Sequence, residues 1–157
     1  MPGQITAGQL EIFEVMRSLS ADEREKLIPL FKFEVYPTGK VIFREGDPGT
    51  KMYLVLNGVV QIEKGVDESN STRLARLGRG EVFGEISVLD RSPRTASATA
   101  YLDTELLTFS RQQVDSITTE HPGVAAKIFL GVAQSLAHRL RTADDEITQL
   151  TKRLYYF

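Results

Sequence analysis

The 157-residue sequence contains no cysteine. That absence removes structural disulfides, thiolate nucleophiles, iron–sulfur clusters and thiolate zinc sites together. Histidine is nearly as scarce: His121 and His138 are the only two, too few for an all-protein transition-metal site, so no metal is expected. An excess of one charge sign is missing as well, with 19 basic against 21 acidic side chains and a net charge of −2. The whole-molecule field therefore gives no reason to expect contact with nucleic acid. No apolar run approaches the length needed to cross a bilayer, so no membrane contact is expected. The start, MPGQITAGQLEIFEVM, lacks a basic segment followed by an apolar one, so no signal peptide is indicated and a cytoplasmic location is expected. What remains is an ordinary globular composition, 41% hydrophobic and 25% charged, long enough for one buried core and too short for two full domains.

One stretch carries chemistry. Residues 82–98 read VFGEISVLDRSPRTASA. A glycine beside a carboxylate, Gly84-Glu85, precedes a short apolar segment, Ile86 to Leu89, that can make two helical turns. The chain then breaks at Pro93 and presents Arg94-Thr95-Ala96. Backbone N–H groups opening a short helix attract an anion, and an arginine fork binds phosphate oxygens at two points. A carboxylate only accepts hydrogen bonds, so Glu85 suits a sugar hydroxyl and repels a phosphate. The stretch thus suits a small ligand with one anionic end and one hydroxyl end. A surface salt bridge for Arg94, and a charge on the helix dipole for Glu85, are the plain alternatives.

Residues 1–32 read as helical packing elements, with Leu10, Phe13 and Val15-Met16 at helical spacing. Ser20-Ala21-Asp22-Glu23 is a capping box that starts a second helix at Ala21, and Pro29 should end it. From Phe33 to Phe109 short apolar runs alternate with turns: 41–43, 53–56, 59–62, 74–77, 95–101 and 106–109. That pattern predicts an antiparallel sandwich or barrel. Asn57-Gly58 is the strongest hairpin signal, since both residues tolerate positive φ. Residues 65–72 are a polar loop without evident chemistry. Ser110-Arg111-Gln112-Gln113 is another capping box, opening a short helix that buries Val114 and Ile117. Pro122 opens a long final helix. There Phe129, Ala133, Leu136, Leu140, Ala143, Ile147, Leu150, Leu154 and Phe157 form a heptad seam. Its second half outruns a compact core and predicts a parallel homodimeric coiled coil.

In this order of elements the chain resembles the cyclic nucleotide-binding domains of catabolite-activator-type regulators, cyclic-nucleotide-dependent kinases and gated channels. The resemblance covers about residues 10–142. It rests on Tyr36-Pro37-x-Gly39, Ile42-Phe43-x-Glu45-Gly46-Asp47, Tyr53-Leu54-Val55-x-x-Gly58, Gly80-x-x-Phe83-Gly84-Glu85 and Pro93-Arg94-Thr95-Ala96 in register. It implies an α+β fold: N-terminal helices over 1–32, a jelly-roll-like antiparallel β-roll of about eight strands with its short helix over 33–121, and the long helix over 122–157. It implies that residues 84–96 are the phosphate-binding cassette. Arg94 would grip the cyclic phosphate, helped by Thr95 and Ala96, and Glu85 would accept from the ribose 2′-OH. Gly84 and Ile86 would leave their backbone free beside the ribose phosphate, with Phe83 and Ser87 counted among the ligand-binding residues.

The ligand is expected to be cGMP or cAMP, with a slight lean to cGMP. Thr95 follows the arginine, where the family associates threonine with better acceptance of cGMP, and Asp144 or Asp145 could accept from guanine N–H groups, or equally from the adenine 6-amino group. No helix-turn-helix follows the final helix, so no direct reading of DNA is expected. Two arrangements remain open, a complete stand-alone sensor or the sensor of a longer protein. The ending over 147–157 resembles coiled linkers into bacterial diguanylate cyclase (GGDEF) or EAL phosphodiesterase domains, which in the second arrangement implies a fused output domain as partner. The competing readings are an enzyme on a cupin-like roll and a ligand-free dimerisation scaffold. Enzymatic activity is not expected.

Overall fold

The computed structural model describes residues 5–65 and 69–156. Phe157, the last residue of the expected seam, lies outside them, as do residues 1–4 and residues 66–68 of the polar loop. In chain order the elements are α1 (Ala7–Leu10), α2 (Ala21–Leu27), β1 (Lys32–Tyr36), β2 (Val41–Phe43), β3 (Lys51–Asn57), β4 (Val60–Gly65), β5 (Ser71–Leu77), β6 (Val82–Phe83), α3 (Glu85–Asp90), β7 (Ser97–Ala100), β8 (Thr104–Ser110), α4 (Arg111–Glu120) and α5 (Pro122–Tyr155). Single 3-10 turns lie at Glu14–Met16 and Ile28–Leu30.

Side-chain oxygens of Ser20 and Ser110 cap α2 and α4 in the two capping boxes legible in the sequence, and Thr6 with Gln9 forms a third at α1. The N-terminal segment is less helical than its spacing suggests. Leu10, Phe13, Val15 and Met16 are all buried, but a four-residue helix and a 3-10 turn place them. Pro29 does stop α2, which ends at Leu27 with the proline inside the following 3-10 turn.

The eight strands form two four-stranded sheets, ordered β1-β8-β3-β6 and β2-β7-β4-β5. Every pairing is antiparallel. Strand β3 reads as an unbroken apolar run because both its faces are covered. Tyr53 and Val55 point between the sheets, with Val60, Leu77, Phe83 and Leu106. Met52 and Leu54 point to the helical layer, with Phe13, Leu27, Leu107, Ile128 and Val132. Strands β1 and β6 were not among the expected runs. β1 is an edge strand with a mixed sequence, KFEVY, and β6 has only two residues.

Asn57-Gly58 does not make the expected hairpin. It joins β3 to β4, which lie in different sheets, so the turn is a corner of the roll. Gly58 keeps its positive φ of 93°, and a Cβ there would stand 2.3 Å from the Asp103 carbonyl oxygen. Val59 beyond it accepts from the Tyr101 and Leu102 N–H groups, which turns the chain away from its own strand. β4 instead pairs with β5 and β7.

Helix α5 packs through Val124, Ala125, Ile128, Gly131 and Val132, a stripe beside the expected seam. Of the seam residues, Phe129 and Leu136 are half-buried, and Ala133, Leu140, Ala143, Ile147, Leu150 and Leu154 are exposed. Gly131 permits a close backbone approach: a Cβ there would be 2.7 Å from both Cα and the carbonyl oxygen of Val15. Gly131→Val is therefore expected to lower stability by about 2 kcal/mol, an overpacking effect. A thermal midpoint equal to wild type would refute that contact. Among the described residues no helix is long and apolar enough to cross a membrane.

Candidate functional site

The cassette begins where β6 meets α3. Gly84 takes φ 73° to turn the chain, and a Cβ there would sit 2.8 Å from Arg94 Nη1 and 3.2 Å from the Tyr53 ring. Glu85 and Ser87 face inward and are buried, while Ile86 and Leu89 face outward. Arg91, also left-handed at φ 61°, ends the helix. The returning segment is fixed to the turn after β2 in both directions. Arg94 N–H donates to the Asp47 carbonyl and Gly46 N–H to the Arg94 carbonyl, each at 2.8 Å.

The Arg94 side chain is 4% exposed. Its Nη1 donates to the Gly84 carbonyl at 2.7 Å and its Nη2 to the Lys51 carbonyl at 2.5 Å. Its Nε has no hydrogen-bond partner among the described residues. Its guanidinium lies 4.1 Å from the Phe43 ring centroid and 5.7 Å from that of Tyr53. Among the described residues no carboxylate comes within ion-pair distance of it. Burial draws the guanidinium below its usual pKa, opposed by the Tyr53 hydroxyl and the charges of Asp47 and Glu85. Burial also pushes the Tyr53 hydroxyl up to about 12, so it stays neutral.

Glu85 has a cation of its own. Its Oε1 accepts from Arg139 Nη1 on α5 at 2.6 Å, and Arg139 Nη2 donates to the Val82 carbonyl. The glutamate side chain is 3% exposed and the arginine 36%. One pair thus ties the cassette to the long helix, across 54 residues of sequence.

These groups open on a cavity of about 460 Å³. Phe83, Gly84, Glu85, Ile86, Ser87, Arg94, Thr95 and Ala96 all line it, so the structure brings together every cassette residue singled out in the sequence. The opposite wall is Ile62, Leu74, Ala75, Arg76 and Leu77, and α5 contributes His138, Arg139, Thr142, Ala143 and Glu146. Asp144 does not line it. At roughly 100° per residue it lies about 200° round the helix from Thr142, and the acidic side chain of α5 on the cavity side is Glu146. Arg139, Glu146, Arg76 and the aromatic partners of Arg94 escaped the sequence reading. Arg139 and Glu146 look like ordinary solvated helix surface until the helix is docked, while Phe43 and Tyr53 had shown themselves only as strand and motif residues with no role at the site.

Residues 33–121, more than half of the chain, match the family model described as "Cyclic nucleotide-binding domain". The chain belongs to the cyclic nucleotide-binding domain family. The Cyclic AMP receptor protein of Thermus thermophilus is 39% identical over 137 residues, covering 87% of this chain and 62% of that protein. The crystal structure of the Thermus thermophilus Catabolite Activator Protein matches with a TM-score of 0.76 and 37% identity, over 88% of this chain and 63% of the other. A cyclic nucleotide-binding domain from Methylobacillus flagellatus matches with a TM-score of 0.83 and 27% identity, over 91% and 84%. This domain therefore spans less than two thirds of the Thermus relative's length.

Proposed function

We propose that this domain is a sensor that binds a cyclic purine nucleotide in the cavity beneath α5 and catalyses no reaction itself. The observation that carries the reading is Arg94. A guanidinium so deeply buried, with Nε unpartnered and no carboxylate within ion-pair distance among the described residues, is a cation held ready for an anion. Glu85, on the same cavity, supplies the acceptor for a ribose hydroxyl, and Ile62, Leu74 and Leu77 supply an apolar wall for a base.

The first candidate is cAMP, which the Thermus relative's name specifies. A second reading, cGMP, is favoured by two residues on the cavity. Thr95 offers a hydroxyl, and Glu146 offers the carboxylate that Asp144 does not. A carboxylate accepts from guanine N1–H and N2–H₂.

The response runs through Arg139. A ligand hydroxyl that donates to Glu85 shares the carboxylate that now holds α5, so bound and empty states differ in how that helix is tied. Beyond the cavity Leu140, Ile147, Leu150 and Leu154 stand 57–80% exposed along α5, which favours a homodimeric coiled coil as the reporter in the cytoplasm. The linker-like sequence over 147–157 suggests a cyclic-di-GMP-metabolising output domain, with no direct contact to nucleic acid or membrane.

A thermal-shift screen with cAMP, cGMP, cyclic dinucleotides and linear 5′-AMP tests the reading. A ligand at a hundred times its Kd stabilises by about 2.7 kcal/mol, a shift of several degrees. No shift with either cyclic mononucleotide would favour the scaffold reading instead.

A further inference from the structure

We propose that the face of Phe43 acts as the counter-ion of Arg94 and thereby sets how tightly the site holds an anion. This rests on the cyclic nucleotide reading above. A buried cation needs compensation, and the usual compensation is a carboxylate. Arg94 has none within ion-pair distance among the described residues. A carboxylate there would occupy the guanidinium's donors and repel a phosphate. An aromatic face attracts the cation through its quadrupole and occupies no donor. Phe43 is placed for that role, with its ring centroid 4.1 Å from the guanidinium carbon.

The ring is also held in place. Phe43 stands 5.6 Å from Tyr53 and 5.9 Å from Phe83, and those two rings stack at 4.9 Å with 10° between planes. Both η nitrogens of Arg94 are tied to carbonyls on separate segments, at Gly84 and Lys51. Ring and carbonyls together fix the guanidinium plane, while Nε has no hydrogen-bond partner among the described residues. Phe43 lines the cavity, yet its part is to position and sustain the charge of Arg94. Such an interaction is stronger when desolvated, as here.

The alternative is that Phe43 simply fills space. Stepwise fluorination separates the two, because fluorine drains the ring's negative face with little change in size. Mono-, di- and trifluorophenylalanine are placed at position 43, and Kd is measured calorimetrically for cAMP and cGMP. Phe31, which meets Phe109 at 5.4 Å and, among the described residues, no cation, carries the same series as control. Kd for the tighter nucleotide should rise with each fluorine at 43, by about tenfold in total, with the thermal midpoint held and the series at 31 flat. A flat series at 43, or equal trends at both positions, overturns the proposal while leaving nucleotide binding intact. Absence of binding by the unsubstituted protein would instead remove the functional reading, and this inference with it.

Discussion

Arg94→Leu is expected to raise the Kd for cyclic nucleotide by at least about a hundredfold. The estimate takes two charge-assisted hydrogen bonds to a phosphate at about 1.5–3 kcal/mol each, where 1.4 kcal/mol is a factor of ten. The loss should be so large because the other arginines lining the cavity among the described residues are engaged elsewhere, Arg76 by the Gln61 side chain and the Tyr101 ring. Arg139 is engaged by Glu85 and by the Val82 carbonyl. The variant should still fold. Leucine leaves the Gly84 and Lys51 carbonyls without their present donor, an expected loss of about 1–3 kcal/mol each, offset in part by removal of a buried charge. The cluster on the helical side of β3 is untouched, and leucine keeps an apolar side chain against Phe43 and Tyr53. Calorimetric titration with circular dichroism on the same sample reads both quantities. Wild-type affinity in a folded Arg94→Leu protein would remove the site assignment.

Arg139→Ala should destabilise the empty domain by about 2 kcal/mol, below the 3–5 kcal/mol typical of breaking a fully buried pair because the arginine is partly in water. The asymmetry of the pair drives this expectation: Glu85 is 3% exposed and Arg139 36%. Removing the arginine strands a buried carboxylate, whereas Glu85→Gln leaves a cation that can turn to solvent. Adding Glu85→Gln to Arg139→Ala should therefore restore part of the lost stability, since the stranded charge disappears. Denaturant midpoints of the four proteins close the cycle. A double variant less stable than Arg139→Ala alone would show that the ion pair is not what ties the cassette to α5. If the response runs through this pair, Arg139→Ala should also weaken the coupling between ligand and the coil.

The cassette was legible because its chemistry is contiguous. Glycine, glutamate, a short helix, proline and arginine fall within residues 82–96, and local rules of turns and charge suffice to read them. The capping boxes at Ser20 and Ser110 were legible for the same reason. What escaped depends on long-range packing. Asn57-Gly58 has the chemistry of a hairpin turn, but pairing partners far along the chain, β8 for β3 and β7 for β4, decide that it is a corner. The choice between Asp144 and Glu146 turns on how α5 rotates, and that is set by Gly131 seated on Val15 and by the stripe from Val124 to Val132. Arg139 shows its role only against a carboxylate 54 residues earlier. An antiparallel sandwich or barrel and the final helix were foreseeable from period alone and the resemblance implied the β-roll, while the α5 wall of the cavity needed the helix docked.

Arg94 and Glu85 face one cavity, whose proposed occupant is a cyclic nucleotide. The most direct test is calorimetric titration of cAMP and of cGMP into the unmodified protein. Saturable binding of at least one of them is expected, with one nucleotide per chain. Heats no larger than dilution for both, at nucleotide concentrations up to about 1 mM, where binding would be worth only about 4 kcal/mol, would contradict that occupant.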